Sequence, residues 1–426
     1  MVTAPDGPEP SHRRSRPRAD PLRSRSGLLV LLVVLPIALA AALGIVLTWP
    51  PSPEQAARDA GLVDAGVHYY RATVTDETST TCEGSQENVQ ADGTVPASVP
   101  CTRVQAAVAE GPLRGTTVTV YPTFGLRDDD VRAGAGIIVE HYPAADGAPE
   151  TWAFSDVERT VPLATLALGF VLVTAVIAGW RGLRALVGLV AAAVLLWVYV
   201  LPALIAGENA LLVTVCASVA IMAVVGYLTH GVSLRTSTAL LGTFVGLALI
   251  AGLGVLGAYA AKLSPVTSEE DYRLAGLLGD HGLATLRGVF LAGVVLAGLG
   301  VLNDVTITQV SAVWELRAAD PRASWQRLFA GGMRIGRDHV ASTIYTIAFA
   351  YVGASLPVLL LLQMYQVSVS RTLTGGAFAA EIVRTLSGSI GLVLAIPLTT
   401  AVAAVVAVRS DPARLAAGGG HAHSHR

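Results

Sequence analysis

RGVFLAGVVLAGLGVLNDVTITQVSAVWEL, residues 287–316, decides the fold. Wound as a helix at about 100° per residue, it places Gly293, Ala297, Gly300, Asp304, Thr308, Ser311 and Glu315 on one narrow face. Small residues fill the upper part of that stripe and polar ones the lower part. Acyl chains neither require small residues nor hydrate a carboxylate, so the stripe is expected to turn into protein. RIGRDHVASTIYTIAFAYVGASLPVLL, residues 334–360, follows after a basic loop, and the same spacing aligns Arg334, Asp338, Ser342 and Tyr345. The two segments read as the packed, partly polar centre of a helical membrane bundle.

Composition agrees. The 426 residues are 53% hydrophobic and 14% charged, with mean hydropathy +0.58, whereas a water-soluble domain carries about 25% charged residues. Apolar runs near 28–48, 162–180, 183–206, 210–229, 237–261, 285–303, 341–362 and 385–408 each approach or exceed the roughly 20 residues that cross a bilayer. The sequence therefore predicts a mainly α, polytopic membrane protein with about eight transmembrane helices. Arg181 and Gly182 alone separate the second and third runs. One long helix would overrun any span, so a tight hairpin is expected there.

Net charge is −2, and its distribution is more informative. Six arginines, Arg13 to Arg25, precede the first run, and the loop 313–340 and the segment after 408 are basic. Positive charge is retained in the cytoplasm, which places both termini there. On this topology 1–27 is a disordered basic tail and 28–48 an anchor. Residues 50–160 lie outside, 162–408 form a seven-helix bundle, and 409–426 form a flexible tail ending in HAHSHR. Ala38 and Ala40 resemble a signal-peptidase site, but the apolar run continues to Leu47, so an uncleaved anchor is expected.

Residues 50–160 contain short β-branched and aromatic runs separated by turn residues such as Gly134 and Asp146-Gly147. Four to six strands in about a hundred residues suggest a small OB- or SH3-like barrel between the first two helices. Cys82 and Cys101 fall in this external segment, where a disulfide persists; two free thiols are the alternative. Asp128-Asp129-Asp130 lacks ligand partners at calcium-binding spacing and reads as a solvated loop. Cys216 reads as a small apolar filler.

Within the bundle, Gly242 and Gly246 form a G-x-x-x-G pair, and Gly388 and Gly391 continue a small-residue stripe that includes Arg384. With Gly293 and Gly300 these are the expected close helix contacts. In the basic loop, Asp320 reads as the N-cap of a short helix with Pro321 in its first turn. Asp304 lies about 25 Å from Arg287 along the helix, near the inner boundary of the hydrocarbon. It is either a transport group or a structural partner of Arg334 or Arg337. Asn303 reads as a helix–helix hydrogen-bond donor and Arg337-Asp338 as an interfacial ion pair.

LGVLNDVTITQVSAVWEL, LFAGGMRIGRD, AFAYVGASLPVLLLL and EIVRTLSGSIGLVLAIPLTT resemble signature blocks of the YibE/F family of bacterial multi-pass membrane proteins. WRGLRALVGL and HGVSLRTSTALLGTFVG resemble it too, and the likeness thins over 65–160, where GPLRGTTVTV and TWAFSDVERT carry it. Where family members usually read AVMDVA, this chain reads VLNDVT, keeping Asp304 among more polar neighbours. The resemblance implies an anchor, an extracytoplasmic β domain and a helical bundle in the bacterial plasma membrane. It implies no reaction; transport is the suspected role.

H-E-x-x-H, G-x-S-x-G and G-x-x-x-x-G-K-[ST] are absent, so neither enzyme activity nor ATP-driven work is expected. No cofactor, resident metal or nucleic-acid partner is implied. Two roles follow: a secondary transporter or pore for a small solute or ion, or a membrane scaffold whose outer domain binds a protein or envelope component. Either could form a homo-oligomer.

Overall fold

The computed structural model describes residues 25–51, 67–85, 88–90, 92–122, 125–144, 149–278, 282–364, 366 and 368–410. The arginine-rich start, Asp280-His281 and the HAHSHR tail lie outside the described residues. The chain divides into two compact units, one comprising 1–53 with 184–426 and the other 54–183.

The smaller unit is a five-stranded antiparallel sheet of β1 (His68–Glu83), β2 (Ser98–Val108), β3 (Thr117–Val120), β4 (Gly136–Tyr142) and β5 (Thr151–Val157). Strand order is β3-β2-β1-β4-β5. The expected OB- or SH3-like barrel is therefore corrected to an open sheet with β3 and β5 at its edges. Alternating residues supply one apolar face, with Val74, Val104, Ala106, Ile137 and Val139 buried, as period-two strands require. Past Val74 the register of β1 on β2 shifts and β1 is exposed on both faces, so the long hairpin has no second layer to close against. Cys82 and Cys101 form a disulfide, with Cα atoms 5.8 Å apart, that ties this hairpin. Asp129 of the triple-aspartate turn is met by Arg132 at 2.6 Å and Arg127 at 3.6 Å.

The larger unit is helical: α1 (Arg25–Leu47), the end of α2 (Thr160–Leu195), α3 (Leu201–Ile205), α4 (Ala210–His230), α5 (Leu234–Ala260), α6 (Glu269–Leu277), α7 (Gly282–Ala319), α8 (Trp325–Ala354), α9 (Leu356–Met364), α10 (Val369–Thr374) and α11 (Gly376–Arg409). Among the described residues, six helical stretches are long and apolar enough to cross a membrane, or seven if the bent pair α8–α9 is one span. An eighth would require Thr160–Ile205, one 46-residue stretch, to count twice. That stretch is interrupted at Gly179, whose φ of 57° is accessible at little cost only to glycine. The interruption precedes the expected turn at Arg181-Gly182, through which the helix continues.

Two further expectations are corrected. The run 341–362 is not one helix, because α8 and α9 meet at a 59° bend. Pro357 has no N–H to bond the carbonyl of Gly353, so the helix cannot continue unbroken. The short helix expected at Asp320 does not form. α8 begins instead at the N-cap Ser324, whose side chain accepts from the Arg327 N–H, while Asp320 holds the Arg327 side chain at 3.2 Å.

The core lies where α5, α7 and α11 meet, and includes Leu247, Ile250, Leu302, Leu392 and Ile396. A methyl group on Gly242 would collide with Thr399, on Gly246 with Leu302, and on Gly391 with Ile250. These three glycines are close contacts, as their spacing predicts. Gly300 and Gly388 face open space, so they are not packing sites among the described residues.

Candidate functional site

The site is built on α7, whose two sides differ in residue volume. Val294, Val295, Leu299, Leu302, Val305, Val310 and Val313 are buried, because large aliphatic groups gain most from contact with α5 and α11. Polar residues on this inner side find partners. Thr306 and Thr243 share a hydrogen bond of 2.7 Å, and Gln309 Nε2 donates to the Gly332 carbonyl at 2.6 Å. Gly332 and Gly336 are buried beside Gln309, and this contact brings α8 against α7.

The predicted ridge falls on the opposite side. Ala297, Gly300, Asp304, Thr308 and Glu315 are exposed, and Gly293 and Ser311 are half-buried. The expectation that it turns into protein is therefore corrected. Its residues offer too little apolar volume to compete with the valine and leucine side for the core.

Asp304 meets neither Arg334 nor Arg337. Its Oδ2 lies 3.6 Å from Nε2 of His339, with the aspartate side chain 69% exposed and the histidine 32% exposed. That separation is an ion-pair distance, outside hydrogen-bond geometry. Arg334, Arg337, Asp338, Ser342 and Tyr345 of α8 are all exposed. Arg334, Arg337 and Asp338 form no ion pair among the described residues, so the expected Arg337-Asp338 pair is absent there. Thr308 and Ser311 return their hydroxyls to their own helix, to the carbonyls of Asp304 and Ile307. Ser311 also accepts from Arg235 Nε at 3.0 Å. Asn303 is half-buried, and its side chain makes no hydrogen bond among the described residues, so it is not the expected interhelical donor.

A second charged station occupies the same face of α7. Arg384 and Glu381 of α11 pair at 2.7 Å, with side chains 30% and 25% exposed. The guanidinium lies over the Phe290 ring at 5.6 Å, and a methyl group on Gly293 would sit 3.6 Å from its Nε. Arg384 Nε and Glu381 Oε1 are enclosed and lack hydrogen-bond partners among the described residues, and Tyr351 of α8 lies within electrostatic reach of both groups. Gly293 and Asp304 are eleven residues apart, about 16 Å along α7 and within about 20° around it. Exposed Ala297 and Gly300 lie between them.

The small-residue stripe of the sequence contains Arg384 but does not reveal its pairing with Glu381. Glu381 and Arg384, three apart at the start of an apolar run, are the signal that could have found it. His339 gave no such signal, since its meeting with Asp304 depends on how α8 docks.

The family model described as YibE/F-like protein matches residues 166–409, more than half of the chain. No curated protein and no solved structure matches it.

Proposed function

We propose that this chain, which belongs to the YibE/F-like family, carries a small solute or ion across the bilayer along the polar face of α7, as a secondary transporter or a pore. The family and the apolar helices support a membrane protein. One observation supports the finer reading: a carboxylate that is 69% exposed sits on an apolar spanning helix, on the face that also meets the Glu381–Arg384 pair. A charged group at that depth costs a few kcal/mol against hydrocarbon, and water or a polar partner relieves that cost. Small residues between the two stations leave room for either. Without a nucleotide-binding motif, the work comes from a gradient or the flow is passive.

Proteoliposomes containing the full chain test this reading by uptake of labelled ions and small polar solutes under an imposed gradient. A flux present in the wild type and lost in D304N, at equal amounts of folded protein, supports it. A flux indifferent to D304N removes Asp304 from the pathway, and loss of folded D304N protein favours a structural role for Asp304 instead.

The scaffold reading rests on the sheet. His68, Tyr70, His141 and Trp152 cluster there, and Glu150 accepts from Trp152 and pairs with His141 at 2.8 Å. His141 Nδ1 is buried without a hydrogen-bond partner among the described residues. Deleting residues 54–157 separates the two roles, because flux retained without the sheet counts against the scaffold.

A further inference from the structure

An open apolar groove lies away from the α7 face. It has a volume of about 320 Å³ and is lined by Leu29 and Val30 of α1, Leu241 of α5, and Ala401, Val405 and Arg409 of α11. That volume is at the lower end for small-molecule sites. The lining residues share one end of the bundle: Leu29 and Val30 lie in the first two turns of α1, Leu241 in the second turn of α5, and Arg409 closes α11.

Chemistry selects the occupant. The walls are aliphatic and offer no hydrogen-bonding side chain except Arg409. That guanidinium is exposed and makes no ion pair among the described residues. It suits the negative end of α11, yet the helix end alone does not neutralise it. An apolar groove with one cation at its edge complements a molecule with a hydrocarbon tail and one anionic head. α1 starts at Arg25, and a cation at that end of the bundle favours an anionic leaflet.

We propose that this pocket holds an acyl chain of an anionic phospholipid whose phosphate is drawn to Arg409. The lipid fills the gap between α1 and the ends of α5 and α11, and so couples the anchor helix to the bundle. This site is independent of the transport reading, and its test requires no flux.

The full chain, reconstituted in nanodiscs of equimolar phosphatidylglycerol and phosphatidylcholine, is released into nonionic detergent. Retained lipid is then counted by native mass spectrometry. The wild type keeps phosphatidylglycerol in preference to phosphatidylcholine. R409Q, a change at an exposed position, cuts that preference about fivefold, the effect expected of one cation near an anionic headgroup. V405W and L29W, which fill the groove from partly exposed positions, abolish retention without lowering the unfolding midpoint. Equal retention of the two lipids, or an unchanged preference in R409Q, overturns the proposal. So does retention that survives both tryptophan variants. Displacement of phosphatidylglycerol by free oleate at equal concentration would reassign the pocket to fatty acids and also overturn it.

Discussion

Glu381 and Arg384 are each about a quarter to a third exposed, so removing one leaves its partner largely desolvated. R384A should destabilise the chain by about 2–4 kcal/mol, and E381A/R384A should recover part of that loss, because no lone charge remains. Thermal unfolding in detergent measures both; an R384A midpoint equal to wild type would show that water already satisfies the pair. His339 offers a contrasting case. Its partner Asp304 is 69% exposed, so H339A should change stability by less than about 1 kcal/mol. Any effect of that variant on flux would then be separable from folding. The carboxylate itself was legible in the sequence, since aspartate is rare in an apolar run. Its partner was not, because helical periodicity aligns residues within one helix and does not dock two helices.

Helix contacts divide the glycines. A methyl group on Gly391 collides with Ile250, whereas Gly300 and Gly388 face open space. G391A should therefore cost about 1–3 kcal/mol through overpacking, and G300A and G388A should be neutral or stabilising by up to about 1 kcal/mol. Unfolding midpoints of the three variants check this ordering. Spacing alone predicted all of these glycines as contacts, because a stripe of small residues marks either a close neighbour or an open groove.

α6 carries a different device. Asp271 accepts hydrogen bonds from Thr267 and Ser268, and Ser268 caps the helix. Burial pushes the Asp271 carboxyl up, but those hydrogen bonds outweigh it and hold the group below its ordinary value of 3.8. The cap's contribution is therefore complete above the unfolded value and lost as pH falls through the lower folded one. Hydrogen exchange of α6 should accelerate as pH is lowered below about 4, after correction for intrinsic rates, and D271N should remove that dependence.

At the scale of the molecule, the two units were legible in outline. Hydropathy separated the long apolar helices from a β-rich insert, and cysteine placement anticipated the Cys82–Cys101 bond. The open form of the sheet was not legible, since strand alternation predicts a half-buried sheet and is silent on whether its edges meet. Nor was the outward turn of the α7 ridge. That outcome depends on a contest between two faces of one helix, and the sequence shows only that the faces differ. C82S/C101S should lower the stability of the sheet by about 3 kcal/mol, since it frees the loop between those positions. Unfolding followed by sheet-specific hydrogen exchange checks this, and exchange within α7 should be unaffected.

The central claim is that the Asp304-bearing face of α7 meets water or a polar partner, not acyl chains. With Cys216 replaced by alanine, single cysteines at Ala297, Gly300 and Thr308 can be treated in native membranes with a charged, water-soluble maleimide, which reacts with hydrated thiolates. Modification at all three positions, alongside an unreactive cysteine at buried Val295, is the predicted result. Protection of all three from the maleimide, together with quenching of nitroxides there by lipid-dissolved oxygen, would contradict it.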